Sequence, residues 1–305
     1  MTSIACVFPG QGSQHSEMLK TSVVQQSFLS EKIDIVSEIL DDDVHSILVN
    51  EKKLNTTSYT QPLLVLSSAI FSEAFKNLLI PNPKLIAGHS LGEYSALMFS
   101  GSISFEDAIK ITYLRGKLMQ NSEKGRMMAI LGLDSDTIDK ACIEITKTND
   151  DIYVTAANYN SLKQTVIAGN IEGIEKAKNH LLQIGAKRCI ELNVSIASHS
   201  NLMSDAANEF NESLQNIELS TPKFPIIQNF SGEIETDVDL IKQNLFNQLT
   251  KPVLWTKTMN KISETSSILL EVGPKNILCG LSKGYDLSSI LYMSDLNIED
   301  KVQNL

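Results

Sequence analysis

Ile86-Ala87-Gly88-His89-Ser90-Leu91-Gly92-Glu93-Tyr94-Ser95 decides how this chain folds: an apolar run stops at a Gly-x-Ser-x-Gly turn, and helix formers continue from Glu93 to Phe99. Strand, sharp turn and helix in that order make a nucleophile elbow. The serine at its tip takes a strained backbone conformation and projects its hydroxyl, while the small residues on either side let strand and helix come close. Pro83-Lys84-Leu85-Ile86-Ala87 reads as the short buried strand that feeds the turn, so Ser90 is the candidate nucleophile.

Working outward from the elbow, the first part of the chain alternates strand and helix. Ile4 to Phe8 is a strand, a glycine-rich loop follows, then helical regions from about Val23 to Leu40 and from Gln61 to Leu79, and beyond the elbow a helix from Glu106 to Gln120. That alternation belongs to an α/β sheet. The rhythm changes near Gly125. Met127 to Leu133 (strand), Ser135 to Lys147 (helix), Ile152 to Ala157 and Gln164 to Ala168 (strands), Ile171 to Ile184 (helix) and Lys187 to Leu192 (strand) form a βαββαβ unit, the ferredoxin-like order. The expected organisation is a large α/β domain from residues 1–125 and 194–305, with an inserted subdomain at 126–193 and a ligand cleft between them. Val194 to His199 reads as the strand re-entering the large domain, Leu202 to Gln215 as a helix, and Ile268 to Val272 as the final strand.

Composition narrows the function. The chain has 305 residues and a net charge of −10, which argues against wholesale nucleic-acid binding, where clustered lysine and arginine hold the phosphates. No window approaches the run of about 20 apolar residues that a membrane span needs. Met1 to Phe8 looks like a first strand rather than a signal peptide, which points to the cytoplasm. Cys6, Cys142, Cys189 and Cys279 are scattered without metal-ligand spacing, so buried reduced thiols and no metal are expected. Asp41-Asp42-Asp43 reads as a solvated loop.

A serine hydroxyl needs a base within hydrogen-bond reach. Of the five histidines, His15, His45 and His180 lie in polar or exposed settings. His89 adjoins Ser90 on a tight turn, where neighbours project apart, and reads as a packed or hydrogen-bonding support. His199, in Val194-Ser195-Ile196-Ala197-Ser198-His199-Ser200, is flanked by small residues that leave room for a substrate. It is the candidate base. The partner that orients it stays open: Glu191 is poorly placed, and a backbone carbonyl or a side-chain amide would serve as well. Phe8-Pro9-Gly10-Gln11-Gly12-Ser13-Gln14 lacks the lysine and spacing of a phosphate loop. Its Gln11 N–H, with that of Leu91, would make an oxyanion hole, each donor contributing about 3 to 4 kcal/mol.

Taken together, these stretches resemble the malonyl-CoA:acyl carrier protein transacylase family. They are joined by Leu114-Arg115-Gly116-Lys117-Leu118-Met119-Gln120, Gln248-Leu249, Pro252-Val253-Leu254-Trp255 and Glu271-Val272-Gly273-Pro274, so the resemblance covers nearly the whole chain. It implies an α/β-hydrolase-like domain with a ferredoxin-like insertion. It also implies a ping-pong reaction: Ser90 takes the malonyl group from malonyl-CoA and passes it to the phosphopantetheine thiol of an acyl carrier protein, for fatty acid biosynthesis. His199 would then be base and acid, the main-chain carbonyl of Gln248 would hold its ring, and Gln11 and Leu91 would supply the oxyanion donors. Arg115 would pair with the free carboxylate of malonate, which its planar fork suits. Met119, one turn on, would share that face, and Asn160 aligns with an active-site asparagine. No cofactor is implied, and a monomer is expected.

The segment after Gln14 departs from the family in lacking a glycine, and Ala197-Ser198-His199 resembles polyketide acyltransferases that take methylmalonyl units. A discrete polyketide-synthase acyltransferase is therefore the alternative. A serine thioesterase or esterase is less favoured, and a non-catalytic binding subunit less still. Because carrier proteins are acidic, docking calls for a local basic surface, and Lys187-Arg188 is a candidate.

Overall fold

A computed structural model describes residues 3–303 as a large α/β domain interrupted by a small antiparallel sheet. The strands are β1 Ile4–Phe8, β2 Leu85–Gly88, β3 Arg126–Leu131, β4 Val154–Ser161, β5 Gln164–Gly169, β6 Arg188–Glu191, β7 Ile226–Ile227, β8 Ile234–Glu235, β9 Ile268–Glu271 and β10 Ser289–Tyr292. The large sheet runs β10-β9-β1-β2-β7-β8, and only the β7–β8 pairing is antiparallel. Its central strands are buried along their whole length and apolar but for Glu271 at the end of β9, as a sheet covered on both faces requires.

The small sheet runs β4-β5-β3-β6 and is antiparallel throughout, the ferredoxin-like arrangement. Strand alternation divides its two faces. Met128, Ile130 and Ile167 point to the helices Ser135–Thr146 and Ile171–Gln183, burying Ile138, Cys142, Ile174 and Leu181 against them. Met127, Ala129, Val166 and Ala168 point the other way, toward the large domain. The two parts are stitched together by the Tyr159 N–H on the Val253 carbonyl and the Val253 N–H on the Ala157 carbonyl, each at 2.9 Å.

Several expectations shift. The helix expected from Gln61 runs over Thr57–Asn77, with Pro62 inside it, because its first N–H groups find acceptors: Gln120 Oε1 takes that of Ser58 at 3.3 Å, and the Thr56 carbonyl takes those of Tyr59 and Thr60. Ile268–Glu271 is not the last strand, since β10 follows it as a half-exposed edge too short to show a periodicity. The run before His199 is not a strand. It makes one bridge, Ile196 to Lys124, and then turns, because the chain there crosses from one sheet system to the other. The three aspartates do more than face solvent. Asp41 closes the helix Gln26–Leu40 in a left-handed conformation, Asp43 caps the helix Val44–Val49, and Asp42 pairs with Lys53 at 2.7 Å.

Candidate active site

Ser90 sits between β2 and the helix Gly92–Phe99 with φ of 53°, the left-handed conformation that the elbow demands. The glycine that follows is a steric necessity: a β-carbon on Gly92 would lie 2.0 Å from the Phe8 carbonyl oxygen. Asn229, at the end of β7, which pairs with β2, locks the turn from below. Its Oδ1 accepts from the Ser90 N–H at 2.6 Å and its Nδ2 donates to the Gly88 carbonyl at 2.5 Å.

The Ser90 hydroxyl is 2.8 Å from His199 Nε2, and His199 Nδ1 is 2.6 Å from the Gln248 carbonyl oxygen. A carbonyl only accepts, so Nδ1 carries the hydrogen and Nε2 presents its lone pair to the serine. Gln248 is the last residue of the helix Val238–Gln248, which Asp237 caps at its other end. Its carbonyl is one of the helix's unpaired C-terminal acceptors, and the negative end of the helix dipole falls where an imidazolium would form. Burial, reinforced by the charge of Arg115, pushes His199 down to about 3, so the ring rests neutral.

Arg115 projects from the helix Phe105–Asn121, whose start is capped by the Ser104 hydroxyl, and is only 1% exposed. Its Nη1 donates to Gln61 Oε1 at 2.9 Å, and its Nη2 to Gln248 Oε1 at 3.0 Å, with the Ser90 hydroxyl at 3.5 Å. Tyr94 lies beneath, with its ring centre 5.6 Å from the guanidinium carbon, and Nε has no partner. A buried cation surrounded by neutral amides and one orphan donor is a receptor for an anion. Met119 lies one turn onward, its sulfur 3.4 Å from Gln61 Nε2.

The remaining residues expected at the site converge here too. His89 Nε2 donates to Asn160 Oδ1 at 2.8 Å and sets its ring edge against Trp255, so it buttresses the elbow. Asn160 reaches across from β4, where a register shift between Tyr159 and Ser161 re-aims the strand. The loop bearing Gln11 runs against the elbow, for a β-carbon on Gly10 would lie 3.7 Å from the Leu91 nitrogen. All but Gln248 line one cavity of about 330 Å³ between the two parts of the fold. Its far wall is the apolar face of the small sheet, with Met127, Ala129 and Val166. Among the described residues no group of three or more His, Cys, Asp or Glu is placed to hold a metal ion, and no helix is long and apolar enough to cross a membrane.

Sequence reasoning missed three members of this cluster. Glu93, in the elbow helix, is fully buried and accepts hydrogen bonds from Gln248 Nε2 and from the Asn229 N–H. Gln61 and Asn229 complete the set. Asn229 carried a signal, since ligand-facing residues collect at the carboxyl ends of parallel strands. A glutamate in a short helix that has no polar face was another.

The acyl transferase domain family matches residues 5–285. The chain is 39% identical to the malonyl CoA-acyl carrier protein transacylase of Haemophilus influenzae, covering 93% of this chain and 92% of that protein, and 38% identical to the one of Escherichia coli K12, covering 93% of each. Among solved structures, FabD from Acinetobacter baumannii superposes with a TM-score of 0.93 at 37% identity, over 99% of this chain and 98% of that one. A malonyl-transacylase in complex with a type II PKS acyl-carrier protein superposes equally well, with a TM-score of 0.93 at 37% identity over the full length of both chains.

Proposed function

Because the chain belongs to the acyl transferase domain family, we propose that it moves a malonyl group from malonyl-CoA to the phosphopantetheine thiol of an acyl carrier protein, by way of an ester on Ser90. The observation that carries this proposal is the placement of Arg115: a buried guanidinium, 3.5 Å from the Ser90 hydroxyl, faces the space where the far end of a short acyl group would lie. A hydrolase for uncharged esters would gain nothing from it.

In the first half-reaction His199 Nε2 takes the Ser90 proton as the hydroxyl oxygen bonds to the thioester carbonyl carbon. The oxyanion rests on the Leu91 and Gln11 N–H groups, the Ser90 N–H being engaged by Asn229. Collapse breaks the carbon–sulfur bond, and His199 returns the proton to the departing thiolate. The carrier's thiol then enters by the same steps in reverse. Arg115 holds the malonyl carboxylate throughout, with Met119 packed beside it, and His89 and Asn160 keep the elbow and the facing wall in register. The chemistry calls for no cofactor beyond the CoA and pantetheine that substrate and carrier bring.

Fatty acid biosynthesis in the cytoplasm, by a monomer, is the setting that fits such a chain. Service to a type II PKS is a second reading, favoured by the full-length likeness to the transacylase bound to such a carrier. Lys187 and Arg188, exposed at the start of β6, form no ion pair among the described residues, which suits docking of an acidic carrier.

Intact-protein mass spectrometry after brief exposure to malonyl-CoA, acetyl-CoA or methylmalonyl-CoA tests the proposal. A malonyl adduct that maps to Ser90 and moves to a carrier protein supports it; absence of any adduct overturns it. Arg115→Ala should lower malonyl selectivity over acetyl by up to about 10⁴-fold, the range in which a buried polar site rejects an analogue that leaves it unpaired.

A further inference from the structure

Arg115 is buried among uncharged ligands, yet one carboxyl group lies a single amide away. Arg115 Nη2 donates to Gln248 Oε1, and Nε2 of the same amide donates to Glu93 Oε2, so the Gln248 side chain is a polarised bridge between cation and carboxyl group. The other Glu93 oxygen accepts from the Asn229 N–H at 3.2 Å. Glu93 is thereby one hydrogen-bonded residue removed from each element of the site: from Ser90 through Asn229, and from Arg115 and His199 through Gln248.

Charge balance gives this arrangement a consequence. Above about pH 8, where Glu93 is ionised, its charge and that of Arg115 sum to zero. When a substrate carboxylate docks on Arg115, two anions share one buried cation, and the net charge of a water-poor cluster becomes negative. A buried uncompensated charge is costly, and the accessible remedy is protonation of the weaker-held carboxylate. Building on the role assigned above to Arg115, we propose that Glu93 is its proton-linked counter-charge, taking up one proton from solvent when the acyl carboxylate docks and giving it back when the acyl group leaves.

The surroundings allow this. Facing Glu93 are Arg115 from the helix Phe105–Asn121 and Tyr94 from its own helix, whose phenol burial keeps neutral; His199, beyond Gln248, is also neutral. Gln61, Gln248 and Asn229 are uncharged amides. β2 carries no titratable group, and β1 only the Cys6 thiol, which burial holds protonated. Burial pushes Glu93 up to about 8, opposed by its hydrogen bonds and by Arg115, so its proton is exchangeable just above neutrality. Glu93 acts as a positioning and charge-setting residue, since it touches no substrate.

Calorimetric titration of the Ser90→Ala protein with malonyl-CoA, and with CoA lacking an acyl group, in buffers of different ionisation enthalpy counts protons without turnover. The excess uptake for malonyl-CoA should rise from near zero at about pH 7 toward one proton at about pH 9, with malonyl affinity falling over that interval. Glu93→Gln in the same background should abolish both the excess and the alkaline loss of affinity. Equal proton counts for the two ligands would overturn the proposal, and that comparison needs no change at Glu93. If malonyl-CoA binds no tighter than CoA, or if Arg115→Ala leaves that preference intact, the role of Arg115 fails instead, so the two failures are distinguishable.

Discussion

His199 Nδ1 meets the main-chain carbonyl of Gln248 at 2.6 Å, in the place where a Ser-His-Asp triad would have a carboxylate. The carbonyl ends a helix of eleven residues, so a dipole substitutes for a formal charge. That leaves Gln248 bifunctional: its backbone fixes the imidazole and its side chain joins Arg115 to Glu93.

Gln248→Ala separates these two duties, because the carbonyl survives while the amide bridge is lost. Steady-state kinetics should show KM for malonyl-CoA rising about 10- to 100-fold, the loss expected from hydrogen bonds to charged groups at about 1.5–3 kcal/mol, while kcat falls much less. A collapse of kcat with KM unchanged would place the side chain in the chemistry instead.

Ser90 pays for its exposed hydroxyl in backbone strain, at φ of 53°. Ser90→Ala and Ser90→Gly are both expected to form no acyl adduct. Thermal melting should nonetheless rank the glycine variant about 1 kcal/mol above the alanine variant, since only glycine occupies the left-handed region freely.

Asn229→Ala removes the acceptor of the half-buried Ser90 N–H and the donor to the buried Gly88 carbonyl. Denaturant unfolding should show a loss of about 2–6 kcal/mol, from two groups left unpaired at roughly 1–3 kcal/mol each. Acyl loading should slow with it, and an unchanged midpoint would show that the elbow holds its shape unaided.

The pH dependence follows from His199, which sits near 3 in the folded chain and at its ordinary value of 6.5 when unfolded. Between those values the unfolded chain binds more protons, so this group's contribution to stability is present above about pH 6.5 and is lost as pH falls. Melting curves should drop over that acid window, and less steeply in His199→Ala. Acyl loading should in turn show no acid limb near 6.5. Arg115→Gln should bring the limb closer to that value, because the guanidinium charge is the second cause of the downward shift after burial.

Much of this was legible in the sequence because it is local. The elbow is contiguous, its glycines are dictated by backbone contact, and the βαββαβ order repeats two periodicities that the chain displays openly. The candidate residues, all but Gln248, also came together in one cavity. What escaped is long-range. Glu93 looked like one more helix former, since nothing near it in sequence reveals that Asn229 and Gln248, 136 and 155 residues away, close over its carboxyl group. The helix start at Thr57 escaped because its capping acceptor, Gln120, lies 62 residues on from Ser58. Three aspartates in a row suggested a solvated loop, where two successive helix ends needed caps.

The cavity has two unlike walls. The nucleophile, the base and the anion receptor come from the large domain; the small sheet brings the apolar side chains of Met127, Ala129 and Val166 together with the amides of Asn158, Asn160 and Gln164. The reacting groups and the apolar sheet surface are therefore written in different parts of the chain. Shaving or bulking the sheet face should retune which acyl branch is accepted while the proton relay and the anion receptor stay as they are. A designer wanting a new extender unit would rebuild a wall and leave the machinery alone.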